Sequence, residues 1–320
     1  MKSIPVVKPV QLLLLGLVLL GAAGCAVLTS SQVKEVQSFA KTSEEYTELP
    51  GSLAKAYGAM LRDKKLLTVA SREFGQKDAS GGIDTTAANG AWSDIKDAYE
   101  QEQRLDEVGK QMDAALAVLD DYSQLLTRIT SSEYTDELDA STTKLGEKLD
   151  DATKEFNNTY KQGNPLDLIG GNIGWAIRTA GGIFIRHKQY EILRDVTKTA
   201  DPLVAGLMSA VEDIASNKMQ AAFVNYEENF LGREFKSVAN NSHRLEMGTV
   251  SFVYDDLARA KAGRDLAGRV ATAARTYRDA HRRLVETTRI RMDLKQAIEE
   301  IQALKKEVDA GKKIKSAIKQ

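Results

Sequence analysis

The sequence predicts an all-α fold: an elongated antiparallel helical bundle, coiled-coil-like, with no sheet. Three observations point there. Apolar residues recur at alternating spacings of three and four over long stretches, which marks a helical seam. Only 5 of 320 residues are proline, and two of these, Pro5 and Pro9, precede the body of the chain. The body is rich in Ala, Leu, Lys, Glu, Asp and Arg and poor in aromatics (6%), a composition of long helices. No stretch alternates apolar and polar residues with the period of a half-buried strand.

Along the chain, Leu53, Met60, Leu67 and Phe74 recur every seven residues, with a break expected at Leu49-Pro50-Gly51 as a turn or a proline-started helix. Lys77–Gly90 reads as a loop, and Trp92 opens the next helix. That helix carries the longest seam: Leu105, Val108, Met112, Ala115, Leu119, Tyr122, Leu126 and Ile129. A second seam runs Leu145, Leu149, Ala152, Phe156, and Gln162-Gly163-Asn164-Pro165 reads as a turn. At Ala200-Asp201-Pro202 a helix is expected to begin, with Asp201 as N-cap and Pro202 at its first position. The seam Val204, Leu207, Val211, Ile214 follows, then a softer break at Asn240-Asn241-Ser242 or near Gly248. Val270, Ala273, Tyr277, Ala280 and Leu284 form the last seam, which resumes after a polar gap at Leu294, Ile298 and Ile301. One helix over Arg244–Ile314 would reach on the order of 100 Å.

The first 24 residues stand apart. Lys2 and Lys8 precede an apolar run from Val10 to Leu20, and small residues lead to Cys25, the only cysteine of the chain. A basic start, a short apolar run and a small-residue exit mark a secretory signal. The run is well short of the roughly 20 residues that span a bilayer as a helix. The stretch LLGAAGC resembles the lipobox of bacterial lipoproteins, with Ala22 where leucine is usual. The resemblance covers about the first 25 residues, and no family resemblance extends into the helical body. It implies cleavage between Gly24 and Cys25 and acylation of the Cys25 sulfur. Ala26 after the cysteine further implies the outer membrane, facing the periplasm. Two or three acyl chains, at about 0.8 kcal/mol per buried methylene, hold a protein durably on a membrane. A lipidated sulfur also explains why an exported chain carries one unpaired cysteine.

The expected organisation is therefore a signal peptide over 1–24, the lipidated cysteine and a short tether over 25–32, and a single elongated helical domain over 33–320. Within that domain lie an acidic hairpin (about 92–160), a Gly-rich apolar segment (167–188) and basic C-terminal helices (about 239–320). Losing Lys2 and Lys8 leaves 42 basic residues against 45 acidic, so nothing global points to nucleic acid. The charge is uneven: Trp92–Glu155 holds 17 acidic and 7 basic residues, and Ala239–Gln320 holds 18 basic and 11 acidic. Two readings fit. The basic helices either serve acidic polymers, anionic lipid or a partner, or pack along the acidic hairpin. The seams on both segments favour the second.

The run Asp167–Lys188 places Gly170, Gly171, Gly174, Gly181 and Gly182 among apolar residues that include Trp175. Each glycine costs a helix about 1 kcal/mol against alanine, so some close approach should offset it. The favoured reading is a tightly packed helix or hairpin at the centre of the bundle. A membrane-touching or oligomerising segment is the second, and a ligand-binding loop the third. A phosphate loop is excluded, since no Gly-Lys-Ser/Thr follows.

No catalytic residue is expected, and no cofactor. The histidines are His187, His243 and His281. His243 and Glu246 share a helix face, but a bundle di-metal site takes two Glu-x-x-His units and further carboxylates, so no metal site is expected. The acidic pairs Asp120-Asp121, Asp150-Asp151 and Asp255-Asp256 read as solvated helix faces. The expected function is a membrane-anchored envelope lipoprotein that binds or scaffolds, with a protein partner or self-association through the seams. The alternative is a membrane-active or oligomer-forming protein using 167–188.

Overall fold

The computed structural model describes residues 28–72, 74–75, 85–131, 147, 150–151, 154, 186–241, 245–289 and 294–318. Among them every regular element is helical. Helix α1 (Ser30–Ala70) opens with a reciprocal capping box: Gln32 N donates to the Thr29 hydroxyl at 3.2 Å, and Thr29 N donates to the Gln32 side chain at 2.9 Å. Helix α2 (Thr86–Thr130) returns antiparallel to α1, so that Thr47 meets Asp120, Arg62 meets Glu102 and Arg72 meets Asp94.

A second long rod begins with α3 (Arg186–Asp213). It runs on through a π-helical stretch (Ile214–Gln220), the short α4 (Ala221–Asn225), a second π stretch (Tyr226–Leu231) and α5 (Gly232–Asn241). Helix α6 (Met247–Arg289) packs antiparallel to this rod: Thr197 pairs with Thr288, Glu212 with Arg275, and Glu227 with Arg264. Helix α7 (Leu294–Ile318) folds back on α6 and lies parallel to α1, with Lys312 at Glu45 and Lys315 at Glu48. Thus α1, the α3–α5 rod and α7 run one way, and α2 and α6 the other. Helices α1 and α6 are central: they touch each other, α7 packs on both, α2 covers α1, and the rod covers α6.

This topology gives the bundle two poles. The start of α1, the end of α2, the start of α3 and the end of α6 share the near pole, where Gln189 Nε2 donates to the Ser131 carbonyl at 3.0 Å. Leu28, three residues after Cys25, is buried there in the core. The end of α1, the start of α2, α5 and the start of α6 share the far pole. The 41 residues of α1 separate the two poles by about 60 Å.

Several expectations are corrected. Helix α1 continues through Leu49-Pro50-Gly51. An interior proline costs a helix about 3 kcal/mol, and here burial offsets it: Leu49 packs on Gly311 of α7, and Gly51 packs on Asp113 of α2. Pro202 likewise lies inside α3, and Asp201 is no N-cap but a partner of His281. Helix α2 begins at Thr86, within the expected loop, so Trp92 lies a full turn and more inside it. Phe74 leaves the heptad row and is exposed, because α1 has already ended at Ala70. The expected single helix from Arg244 to Ile314 is two, α6 and α7, which form a hairpin and bury both seams. The softer break falls between Asn241 and Met247, and Gly248 lies within α6.

The seams face the core as expected. Met112, Leu119, Tyr122, Leu126 and Ile129 are buried, as are Val204, Leu207, Val211, Val270, Ala273, Tyr277, Ala280 and Leu284. The seam from Leu145 to Phe156 lies outside the described residues. The basic C-terminal helices do not lie principally along the acidic α2; their cations pair with Glu45, Glu48 and Asp63 of α1 and with Glu212 and Glu227 of the rod.

Candidate functional site

Cys25, its cleavage neighbour Gly24, and the segment residues Gly170, Gly171, Gly174, Trp175, Gly181 and Gly182 lie outside the described residues, as does His243. Among the described residues no helix is long and apolar enough to cross a membrane. The side chains that carry chemistry fall instead into three internal groups and one surface.

The first group is a buried relay in the C-terminal part of α6. His281 is sealed from solvent, with Nε2 2.8 Å from the Tyr122 hydroxyl and Nδ1 3.0 Å from Asp201 Oδ1. The hydrogen bond from His281 holds the Asp201 carboxyl below its usual range, and burial pushes the Tyr122 hydroxyl well up. With Nδ1–H donating to the carboxylate, Nε2 accepts from the tyrosine hydroxyl, so both ring nitrogens have a partner. Phe39 packs 5.9 Å from the His281 ring and, edge-on, 5.0 Å from Tyr277. Tyr122 and His281 are both closed to any substrate, so the relay pins α2, α3 and α6 together.

The second group is a buried charge cluster below the far pole. Asp63 of α1 and Asp256 of α6 are each about 2% exposed or less. Arg259 Nη2 donates to Asp63 at 2.7 Å and stands 3.7 Å from Asp256, while Arg62 Nε donates to the other Asp63 oxygen at 2.8 Å. Tyr226, set by the second π stretch, donates its hydroxyl to Asp256. Burial pushes the Asp256 carboxyl up to about 6. Asp256 is therefore not on a solvated face, as its pairing with Asp255 implied. Its neighbour Asp255 is exposed, because adjacent helical positions are 100° apart.

The third group lines a cleft of about 450 Å³ between α2 and α7, floored by α1. Ala56, Ala59, Leu266 and Ile318 supply apolar surface, and Asp113 and Asp120 line the α2 side. The Thr47 hydroxyl donates to Asp120 at 3.0 Å, and burial with nearby Glu44, Asp121 and Glu48 drives that carboxyl up to about 6. Asp113 Oδ1 is buried without a hydrogen-bond partner. Asp120, too, is only half open, which corrects its reading as part of a solvated pair.

The surface feature is at the far pole. Trp92, Ile95 and Tyr99 on α2 are exposed at 61%, 37% and 64%. Met247, Val250 and Tyr254 on α6 are likewise exposed. Both sets follow the i, i+3, i+7 rule of a single helix face, so each is an apolar stripe without a neighbour among the described residues. On α2 and α6 the stripes are bordered by exposed Asp97, Glu100, Glu246 and Asp255, against one exposed lysine, Lys96. The sequence held a signal for these stripes in the spacing of their apolar residues; it held none for the cleft, whose walls come from helices far apart in the chain.

Comparison of the chain with protein-family models, curated proteins and solved structures finds no match. Any functional reading therefore stands on the residues and their geometry.

Proposed function

We propose that this protein is a lipid-anchored envelope protein that works by binding, without catalysis, holding a protein partner away from the membrane to which Cys25 ties it. The observation that carries this reading is the separation of its two ends. The tether precedes Leu28 at the near pole, while the stripes Trp92/Ile95/Tyr99 and Met247/Val250/Tyr254 lie on helices α2 and α6 at the far pole. Apolar stripes edged by carboxylates complement a partner surface with an apolar ridge flanked by lysine or arginine. The lipobox resemblance supports the outer membrane, facing the periplasm, as the site of tethering.

The test is photocrosslinking of the full-length protein in its native envelope. A photoreactive residue at Trp92 or Tyr254 should yield a discrete adduct with another protein, lost on Ile95→Asp. The same probe at exposed Gln296, near the start of α7, should not yield it. Adducts from Gln296 alone would sink the reading, and adducts with a second copy of the chain would replace the partner by self-association.

A second reading is a membrane-active protein. It is favoured by the positions of Ser131 and Arg186, which bracket residues 132–185 and both lie at the near pole. The last residues of the Gly-rich run, Arg186 to Lys188, open α3 at that pole. Flotation with liposomes of the protein starting at Ala26, abolished by Gly174→Leu or Trp175→Asp, would support it; a protein that stays in solution would exclude it.

A further inference from the structure

The cleft between α2 and α7 has the size and character of a small-molecule site. Its volume of about 450 Å³ falls within the usual range for ligand pockets, and its lining is mainly apolar with a few convergent charges. The sign of the ligand follows from which of those charges are already matched. Lys315 is held by Glu48 at 3.1 Å, and Lys55 lies 3.9 Å from Asp106. Asp113 and Asp120 have no lysine or arginine within 4 Å among the described residues. One oxygen of Asp113 is buried against Gly51 of α1, and the carboxyl as a whole lines the α2 side of the cleft. Three carboxylates, Glu48, Asp113 and Asp120, line the cleft against the two lysines Lys55 and Lys315, so the charge in excess is negative.

The spacing narrows the class. Asp113 and Asp120 are seven residues apart on α2, hence on one face and about 10 Å apart along the axis. Ala56 and Ala59 lie below on α1, with Leu266 behind them and Ile318 to one side. Small side chains there leave a trough wide enough for a methylene chain. We propose that this cleft binds a linear aliphatic di- or polyamine, with one ammonium at Asp113, another at Asp120 and the alkyl stem on the alanine floor. Asp120 would keep its hydrogen bond from Thr47 while accepting from the ligand, since a carboxylate has several acceptor positions.

The test is calorimetric titration of the full chain in detergent at pH 7.5 with spermidine, cadaverine, butylamine and magnesium chloride. Spermidine should bind saturably at one per chain, and cadaverine more weakly because it carries two ammonium groups against three. Butylamine and magnesium should not compete at equal concentration. Asp113→Asn and Asp120→Asn should each weaken spermidine binding at least tenfold. Ala59→Leu, which fills the trough without touching a charge, should abolish it while far-UV circular dichroism stays unchanged. Asp97→Asn, on the far-pole acidic border, should have no effect. Competition by magnesium equal to that of spermidine would show a counter-ion effect and overturn the proposal, as would saturable binding that survives Ala59→Leu. Binding at this cleft is independent of the far-pole stripes, so its failure would leave the crosslinking result standing.

Discussion

Gly109 of α2 faces Gly51 of α1 so closely that a β-carbon on Gly109 would stand 2.9 Å from the Gly51 carbonyl oxygen. Backbone here touches backbone, and the hairpin cannot yield as a flexible side chain would. Gly109→Leu should therefore lower unfolding free energy by about 1–3 kcal/mol, the usual cost of overpacking. Gly232, within the long rod, has nothing within 4 Å of its added β-carbon. Gly232→Ala should raise stability by about 0.5–1 kcal/mol through helix propensity alone. Urea denaturation of the two variants would read both signs, and a stabilising Gly109→Leu would show that the helices do not approach as closely as described.

The buried Asp256 gives stability a direction with pH. Its folded carboxyl titrates near 6, above the 3.8 of an ordinary aspartate. A group raised on folding contributes stability that is fully present below about pH 4 and is lost as pH rises through about 6. The contribution is on the order of 2–3 kcal/mol. Asp256→Asn keeps an acceptor for Tyr226 and should flatten that part of the stability profile between pH 4 and 7. Asp120, raised in the same direction, should leave a smaller residual slope in that variant. Denaturation midpoints measured across this interval would decide it, with an unchanged slope in Asp256→Asn counting against the assignment.

Tyr122→Phe removes the donor to His281 Nε2 and leaves a fully buried nitrogen without a partner. The expected cost is about 1–3 kcal/mol. The double variant Tyr122→Phe/His281→Phe replaces both polar groups and should recover part of that loss. Equilibrium unfolding of the wild type and the two variants gives the comparison directly; a silent single variant would mean the relay carries no stability.

Cys25→Ser should leave uncleaved precursor in the envelope fraction and abolish incorporation of labelled palmitate. Normal processing of this variant would remove the anchor on which the proposed function depends.

Much of this bundle is legible in one dimension. The alternating three-and-four spacing of Leu119, Tyr122, Leu126 and Ile129, and of Val270, Ala273, Tyr277 and Ala280, specifies both helix and buried face, because a 3.6-residue period is a local property of the chain. The lipobox-like stretch and the single cysteine are likewise local. What only the tertiary structure decided depends on partners remote in sequence. Asp63 pairs with its neighbour Arg62 and also with Arg259, 196 residues away, and nothing local announces the second partner. Pro50 and Pro202 sit inside helices because packing outweighs a local penalty. The polar gap after Leu284 becomes a reversal rather than a pause, since α7 gains burial against α1 and α6 by folding back. Asp120 and Asp256 pass from apparent surface charges to enclosed ones for the same reason: periodicity tells which side of a helix is apolar, and only the neighbours tell how far burial spreads beyond that side.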